Sequence, residues 1–477
     1  MDRAEAIVVG SGPNGLAAAV TLARAGHAVE VYEGAPTVGG GTRTEALTLE
    51  GFRHDVCAAV HPTLVVSPFF RSLDLPALGV VLLQPEVAFA QPLGAGRVVA
   101  AYRDVGETAS HLGGDAGAYE ALVGPLVDWL DRIVPYVLRP MRSVPRDPLA
   151  LARFAVAGTP SIRHATRHFS TDAARALLAG AAAHSMEPLT APLTAAFGLL
   201  LAALGHGAGW PVVEGGSASI TQGLAAQLRR LGGVVHTGCR VASLADLPPA
   251  RAVLLDTSPR QFVALAGDRV SGRAARPWLR FRPGPGACKV DWALDGPVPW
   301  SAQACRRTVT VHVGGTFEEV ARAEAAVHAG RHPEAPFVLV AQPGVVDPTR
   351  APAGKQTLWA YCHVPNGSDV DMSERMEAQI ERFAPGFRDL VLKRTVRTAA
   401  QAESHNPNLL GGDVNGGAQT LRQTAFRPVP RWNPYRTPVP GVYLCSASTP
   451  PGGGVHGMCG VAAAEVALRE RLSVSRT

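Results

Sequence analysis

The sequence predicts an α/β fold: a discontinuous Rossmann-like dinucleotide-binding domain, with a substrate domain of a second β-sheet plus helices inserted into it. Three observations predict it. Residues 4–33 read as one complete βαβ unit with a glycine-rich turn. A second glycine-rich stretch, residues 450–457, stands before the last helix. The long middle shows neither pattern. At 477 residues the chain also exceeds one simple compact domain, so two or three are expected.

Residues 4–9 form an apolar run, as a buried parallel strand requires. Residues 10–15 are the turn, and residues 16–25 are an Ala- and Leu-rich helix that stops at Gly26. Residues 28–33 are the second strand. The region 70–210 reads as helical in places, broken by prolines, with Ala-rich helices at 171–184 and 193–204. Helix 219–230 then leads into strands 234–236 and 253–255. Strands of a second sheet are expected at 287–294, 308–313 and 337–341, with a helix at 318–329. Strand 442–446 and helix 455–471 close the chain. The expected division is 1–70, 213–286 and 406–477 for the nucleotide domain. Residues 71–212 form a helical substrate region with a face suited to a membrane, and 287–405 the substrate sheet.

Gly10-Ser11-Gly12-Pro13-Asn14-Gly15 is G-x-G-x-x-G. Alone the pattern is weak. Here it follows a strand, opens a helix and precedes the acid Glu33 by 18 residues, which makes it strong. Gly10 permits the tight turn, Gly12 a close backbone approach to a diphosphate, and Gly15 close helix–strand packing. Glu33 is placed to accept ribose hydroxyls, and its charge disfavours a 2′-phosphate. Gly39-Gly40-Gly41-Thr42-Arg43 follows, a stretch that reads either as a cofactor-lining loop with a phosphate- or flavin-directed arginine or as an ordinary flexible loop. Pro450-Pro451-Gly452-Gly453-Gly454-Val455-His456-Gly457 is a second glycine-rich helix start, whose dipole suits the negative charge of a reduced flavin. Such sites at both ends point to one long cofactor, FAD. No second G-x-G-x-x-G follows a strand, so a separate nicotinamide domain is not expected.

The composition narrows the class. Hydrophobic residues make up 47% and charged residues 18%, so the chain is globular. The net charge of +6 is almost entirely arginine, because the only lysines are Lys289, Lys355 and Lys393. Arg139, Arg142, Arg146, Arg153, Arg163 and Arg167 face one acid, Asp147, in their span. That span reads as a solvated helical face or as weak contact with an anionic membrane surface. No zinc-knuckle or RNA-binding signature accompanies it, so nucleic acid is not an expected partner. The seven cysteines include no C-x-x-C, which argues against a dithiol centre and a metal site and suggests a reducing compartment. The first strand begins almost at once, so no signal peptide fits. The most apolar stretch, 193–204, is too short to span a bilayer. A cytoplasmic protein, at most peripheral on a membrane, is expected.

The whole pattern resembles the bacterial phytoene-desaturase-like flavoproteins, which share a fold with flavin amine oxidases. Beyond the dinucleotide motif, the residues that carry the resemblance are His61-Pro62, Ser67 to Arg71, Gly209-Trp210-Pro211, Gly215-Gly216, Lys289 to Leu294, Asp347-Pro348, Ala351-Pro352, Asn406-Pro407-Asn408 and Pro450 to Gly460. The resemblance covers nearly the whole chain. It implies FAD bound by Gly10, Gly12, Pro13, Asn14, Gly15, Glu33, Gly40, Gly41 and Arg43, with the Val241 backbone at the adenine. Gly454, Val455, His456 and Gly457 would meet the flavin. It does not imply a substrate.

Two residues are candidates for catalysis. His456 would lie near the flavin, as proton acceptor or as a structural cap of the last helix. Lys289 sits in the strand where flavin amine oxidases place a lysine that holds a water near flavin N5. The alternative is a lysine turned to solvent from an edge strand. His405, Asn406 and Asp413 read first as loop formers, and His61 and Arg71 are weaker candidates. The few charges between 173 and 204 suit an apolar pocket roof, a membrane-facing surface or plain helical core. The expected function is a flavin-dependent dehydrogenase or desaturase of an apolar, isoprenoid or lipid-like substrate, with oxygen, a quinone or a protein as electron acceptor. The alternatives are an amine or alcohol oxidase, which an aromatic cage would favour, and a flavin-binding interaction protein without turnover.

Overall fold

The computed structural model describes residues 4–140, 144–145 and 147–473. Two sheets organise the chain. The first is parallel and five-stranded, in the spatial order Val442–Leu444, Ala252–Leu255, Ala6–Val9, Val29–Tyr32, Val234–His236. Every residue of Ala6–Val9 is buried, as expected of a parallel strand covered on both faces. Strand order reverses direction about Ala6–Val9: its sequence successor pairs on one side, and Ala252–Leu255 pairs on the other. In open parallel sheets such a switch point leaves a crevice outside the strand ends, where ligands bind. Helix Pro13–Arg24 leaves from that crevice, and helix Met458–Glu470 packs against it.

The second sheet is mainly antiparallel and has seven strands. Their order is Val391–Arg397, Gly286–Leu294, Gln356–Val364, Val338–Ala341, Thr310–Val313, Val87–Gly94, Arg97–Tyr102. Two of these correct the reading of 71–212 as a helical region. Val87–Gly94 and Arg97–Tyr102 form a hairpin that joins this sheet through the Val311–Ala90 pairing. Val87–Gly94 is buried on both faces and contains Pro92, so it lacks the alternation that betrays a strand. Gln356–Val364 and Val391–Arg397 also escaped the sequence reading.

One face of the second sheet packs against the middle helices. Asp172–Ala183 and Thr194–Gly207 bury Leu177, Leu178, Leu199 and Leu204 in the main core, so these apolar segments are core helices. The opposite face buries Trp292 and Trp300 against Met376 and Ile380 of helix Ser373–Phe383. No described helix is long and apolar enough to cross a membrane.

Candidate functional site

The glycine-rich turn lies at the switch point. Helix Pro13–Arg24 begins with Pro at its first position, and its first amides have no intrahelical acceptor. The second glycine loop abuts the first: Gly39 N–H donates to Ser11 O at 3.2 Å, and a Cβ on Gly40 would lie 3.1 Å from Gly12 Cα. Glu33 directly follows the second strand, Val29–Tyr32. Its carboxylate accepts Ser11 N–H at 2.9 Å, the Ser11 hydroxyl at 2.6 Å and Ala35 N–H at 2.8 Å, with Arg43 Nη2 at 3.5 Å. Glu33 is therefore fixed at the mouth of the loop, and a ribose hydroxyl would exchange with the Ser11 hydroxyl or with Arg43. The segment holding Val241 runs beside this acid: Cys239 N–H donates to Glu33 O at 2.8 Å, and Arg240 flanks Gly34.

The last helix brings the second half of the site. Met458–Glu470 crosses Pro13–Arg24 so closely that a Cβ on Gly460 would fall 1.8 Å from Asn14 O. Only glycine allows this approach, and it sets two helix N-termini side by side at one crevice. Thr63 and Ser67 hold the entering segment by bonds to Val455 O and His456 O. His456 Nδ1 accepts Met458 N–H at 3.0 Å, so Nε2 carries the proton and donates to Gly452 O at 3.2 Å. Both ring nitrogens are committed. Burial lowers this imidazole to about 4, against the opposing bonds to Gly452 and Gly453. His456 caps the helix, and no nitrogen is left to take a substrate proton. That corrects its candidacy as proton acceptor.

Lys289 is not on an edge strand. Gly286–Leu294 is flanked by Val391–Arg397 and Gln356–Val364, and Lys289 is 8% exposed. Its ammonium donates to both carboxylate oxygens of Asp291 and lies 5.2 Å from the Trp359 ring centroid. Burial raises the Asp291 carboxyl, and Lys289 opposes that. Lys289 stands near Cys57, whose Cβ is 3.7 Å from where a Cβ on Gly41 would be. The solvent-facing alternative is set aside. The cross-strand partners of Lys289 are Arg397 on one side and Tyr361 on the other; Tyr361 stacks on Trp359 at 5.8 Å and meets His363 at 5.6 Å.

Sequence reasoning missed several buried polar groups on this face. His363 Nδ1 lies 2.8–2.9 Å from both oxygens of Glu324. His184 and His312 share one hydrogen bond between their Nε2 atoms at 3.0 Å. Burial lowers His184 to about 3 and keeps both rings neutral. Such pairs form across distant elements and have no local spacing. Asp256, Cys57, Tyr361 and His184 each keep partial exposure.

The remaining candidates are structural. His61 bonds Ser217 Oγ at 2.8 Å and is buried, which lowers its imidazole to about 4. Asp413 accepts three loop amides, from Gly284, Asn415 and Gly417. Asn406 caps its own loop through Asn408 N–H, His405 is exposed at a helix end, and Arg71 pairs with Asp131 at the surface. Among the described residues no group of three or more His, Cys, Asp or Glu is placed to hold a metal ion.

A dinucleotide suits the crevice by the chemistry of its lining. Asn14 Oδ1 and Arg43 Nε are buried polar atoms without a partner, one at each glycine loop. Native interiors rarely leave such atoms unbonded.

Comparison with known proteins agrees with this geometry. Residues 8–73 match the NAD(P)-binding Rossmann-like domain family. Over 98% of its length the chain is 26% identical to the rat pyridine nucleotide-disulfide oxidoreductase domain-containing protein 2, covering 93% of that protein. It is 26% identical to a phytoene dehydrogenase of Streptomyces griseus over 82% of the chain and 78% of that protein. Among solved structures, wild-type putrescine oxidase bound to putrescine superposes with a TM-score of 0.60 at 18% identity, over 99% of each chain. The α/β fold with a parallel Rossmann sheet and a separate substrate-domain sheet is thereby that of the flavin amine oxidases.

Proposed function

We propose that this chain, a Rossmann oxidoreductase of the amine oxidase and phytoene desaturase-like superfamily, binds one FAD and oxidises a C–H bond of a largely apolar small molecule. The observation that carries the reading is the meeting of two helix N-termini at one crevice, where a Cβ on Gly460 would fall 1.8 Å from Asn14 O. FAD, when bound, supplies the hydride acceptor. The chain's own part is placement and electrostatics. Gly10, Gly12, Pro13, Asn14, Gly15 and Glu33 hold the adenosine-diphosphate half, with Val241 at the adenine. Gly40, Gly41, Arg43, Gly454, Val455 and Gly457 border the flavin half, and the dipole of the last helix favours negative charge there. Lys289 orients a water or substrate atom beside the flavin, with Asp291 fixing its ammonium. The substrate is isoprenoid or lipid-like, and oxygen, a quinone or a protein takes the electrons.

An amine or alcohol oxidase is the alternative reading; the Trp359 ring, stacked on Tyr361, already carries the Lys289 ammonium at 5.2 Å. A binding protein without turnover is disfavoured by the accessible surface left on Tyr361 and His184. Anaerobic mixing with the correct substrate should bleach the flavin without NAD or NADP, and deuterium at the reacting carbon should slow the bleaching. Oxidation that requires added NAD or NADP, with the flavin never reduced, would refute this.

We also propose weak contact with anionic membrane. Helix Pro148–Gly158 exposes Leu149 (65%) and Val156 (77%) beside Arg153. The basic span is less bare than its sequence suggests, since Arg163 pairs with Glu318; Arg142 and Arg146 lie outside the described residues. Each remaining near-surface arginine contributes about 1 kcal/mol and is screened by salt. Co-sedimentation with phosphatidylserine vesicles should therefore appear at low salt and vanish at high salt. Salt-independent recovery in the supernatant would leave a solvated face.

A further inference from the structure

Asp256 lies where a diphosphate should. It directly follows strand Ala252–Leu255, beside Ala6–Val9 at the switch point. Its Oδ2 accepts Gly15 N–H at 3.0 Å, and that same oxygen lies 2.6 Å from where a Cβ on Gly12 would be. The bare side of the second glycine is the side from which a diphosphate approaches this loop. A carboxylate and a diphosphate compete for the same first-turn amides, and their like charges exclude each other at this distance.

We propose that Asp256 is a cofactor-binding residue that takes up one proton from solvent when the glycine-rich loop receives a diphosphate. This rests on the FAD reading above. In the protonated form Asp256 ceases to repel the phosphates, and its O–H can donate to one of their oxygens. The groups around it supply no alternative relief. Glu33 at the end of Val29–Tyr32 adds negative charge. Cys445, following strand Val442–Leu444, and Cys459 of the last helix are further titratable neighbours, and burial keeps both thiols protonated. The charged side chain that acts on it is the like-charged Glu33. Burial raises the Asp256 carboxyl to about 7, against the opposing bonds from Gly15 and Gly12 N–H and with a further rise from Glu33. The free protein is therefore part-ionised near neutrality, and the proton demand of binding grows above it.

The sign follows from linkage. The bound state holds one more proton than the free state above about pH 7, so affinity falls as pH rises, by up to about tenfold per unit. Deflavinated protein titrated with FAD between pH 6 and 9, read by flavin fluorescence, should show this fall. Proton uptake on adding FAD to weakly buffered protein at pH 8 should approach one per site. D256N should bind FAD at pH 8.5 at least about tenfold more tightly than wild type, with little pH dependence and no proton uptake. Wild type that binds FAD without proton uptake, or D256N that binds more weakly, overturns the proposal. Should D256N fail to fold, the wild-type proton count decides alone. Wild type that binds no FAD at any pH removes the cofactor reading and this proposal with it.

Discussion

Gly12→Val is expected to yield folded protein without FAD. The Gly12 Cα faces the crevice, and a Cβ there would come within 2.6 Å of Asp256 Oδ2 and within reach of the Gly40 loop, whose own Cβ position is 3.1 Å from Gly12 Cα. A valine adds two further methyl groups in the space that a diphosphate must enter. Asp256 keeps partial exposure, so its side chain can swing away from the added carbons. The diphosphate has no such freedom: its position is fixed by the amides of helix Pro13–Arg24. The expected cost to FAD affinity is therefore at least about a hundredfold, the loss of roughly 3 kcal/mol of charge-assisted bonding. Far-ultraviolet dichroism should stay native, because the strand and helix on either side bury their own core. Absorbance near 450 nm after purification and FAD titration measure the effect. Full flavin occupancy in this variant would remove the central reading.

The parts of this site that were legible in sequence are those built from neighbouring residues. The turn at Gly10–Gly15, the acid at Glu33 and the start of the last helix each have a local pattern with a physical cause. The strand carrying Lys289 was also legible, as an apolar run bounded by turn formers. Its position in the sheet was not, because the flanking strand Val391–Arg397 is polar and half-exposed. The hairpin Val87–Tyr102 was hidden for the opposite reason, a run buried on both faces. Asp256 shows a signal that was available and unused. An acid directly following a strand that could pair beside the glycine-rich strand ends at the same crevice. The His363–Glu324 and His184–His312 contacts had no such signal, since only the tertiary fold joins them. The basic span misled in the same way: its Arg163 finds an acid 155 residues away.

Arg350→Met is expected to destabilise the protein by about 3–5 kcal/mol, the range for one partner removed from a buried ion pair. Arg350 is fully buried and bridges two buried acids, Asp55 Oδ2 at 2.9 Å and Asp347 Oδ2 at 2.7 Å. The same acids hold the turn before helix Ala218–Arg230, through Gly215 N–H to Asp347 and Ser217 N–H to Asp55. That helix touches the second glycine loop through Thr221 and Thr42. Burial alone would raise the Asp55 carboxyl, but the Arg350 charge and the bonds from Ser217 and Thr44 hold it below its ordinary value. In wild type its stabilising contribution is thus present above the unfolded carboxylate value, near 4, and lost as pH falls through the lower folded value. Without Arg350 the sign reverses. Burial then outweighs the remaining bonds, the folded carboxyl rises, and stability declines as pH increases from about 4 toward neutrality. Denaturant melts at pH 5 and pH 8 should show a larger deficit at pH 8. The double variant with Asp55→Asn should recover part of the loss, because one uncompensated charge is gone. A variant as stable as wild type at both pH values would show that the arginine does not hold this corner together. A deficit equal at both pH values and untouched by Asp55→Asn would reduce its role to packing.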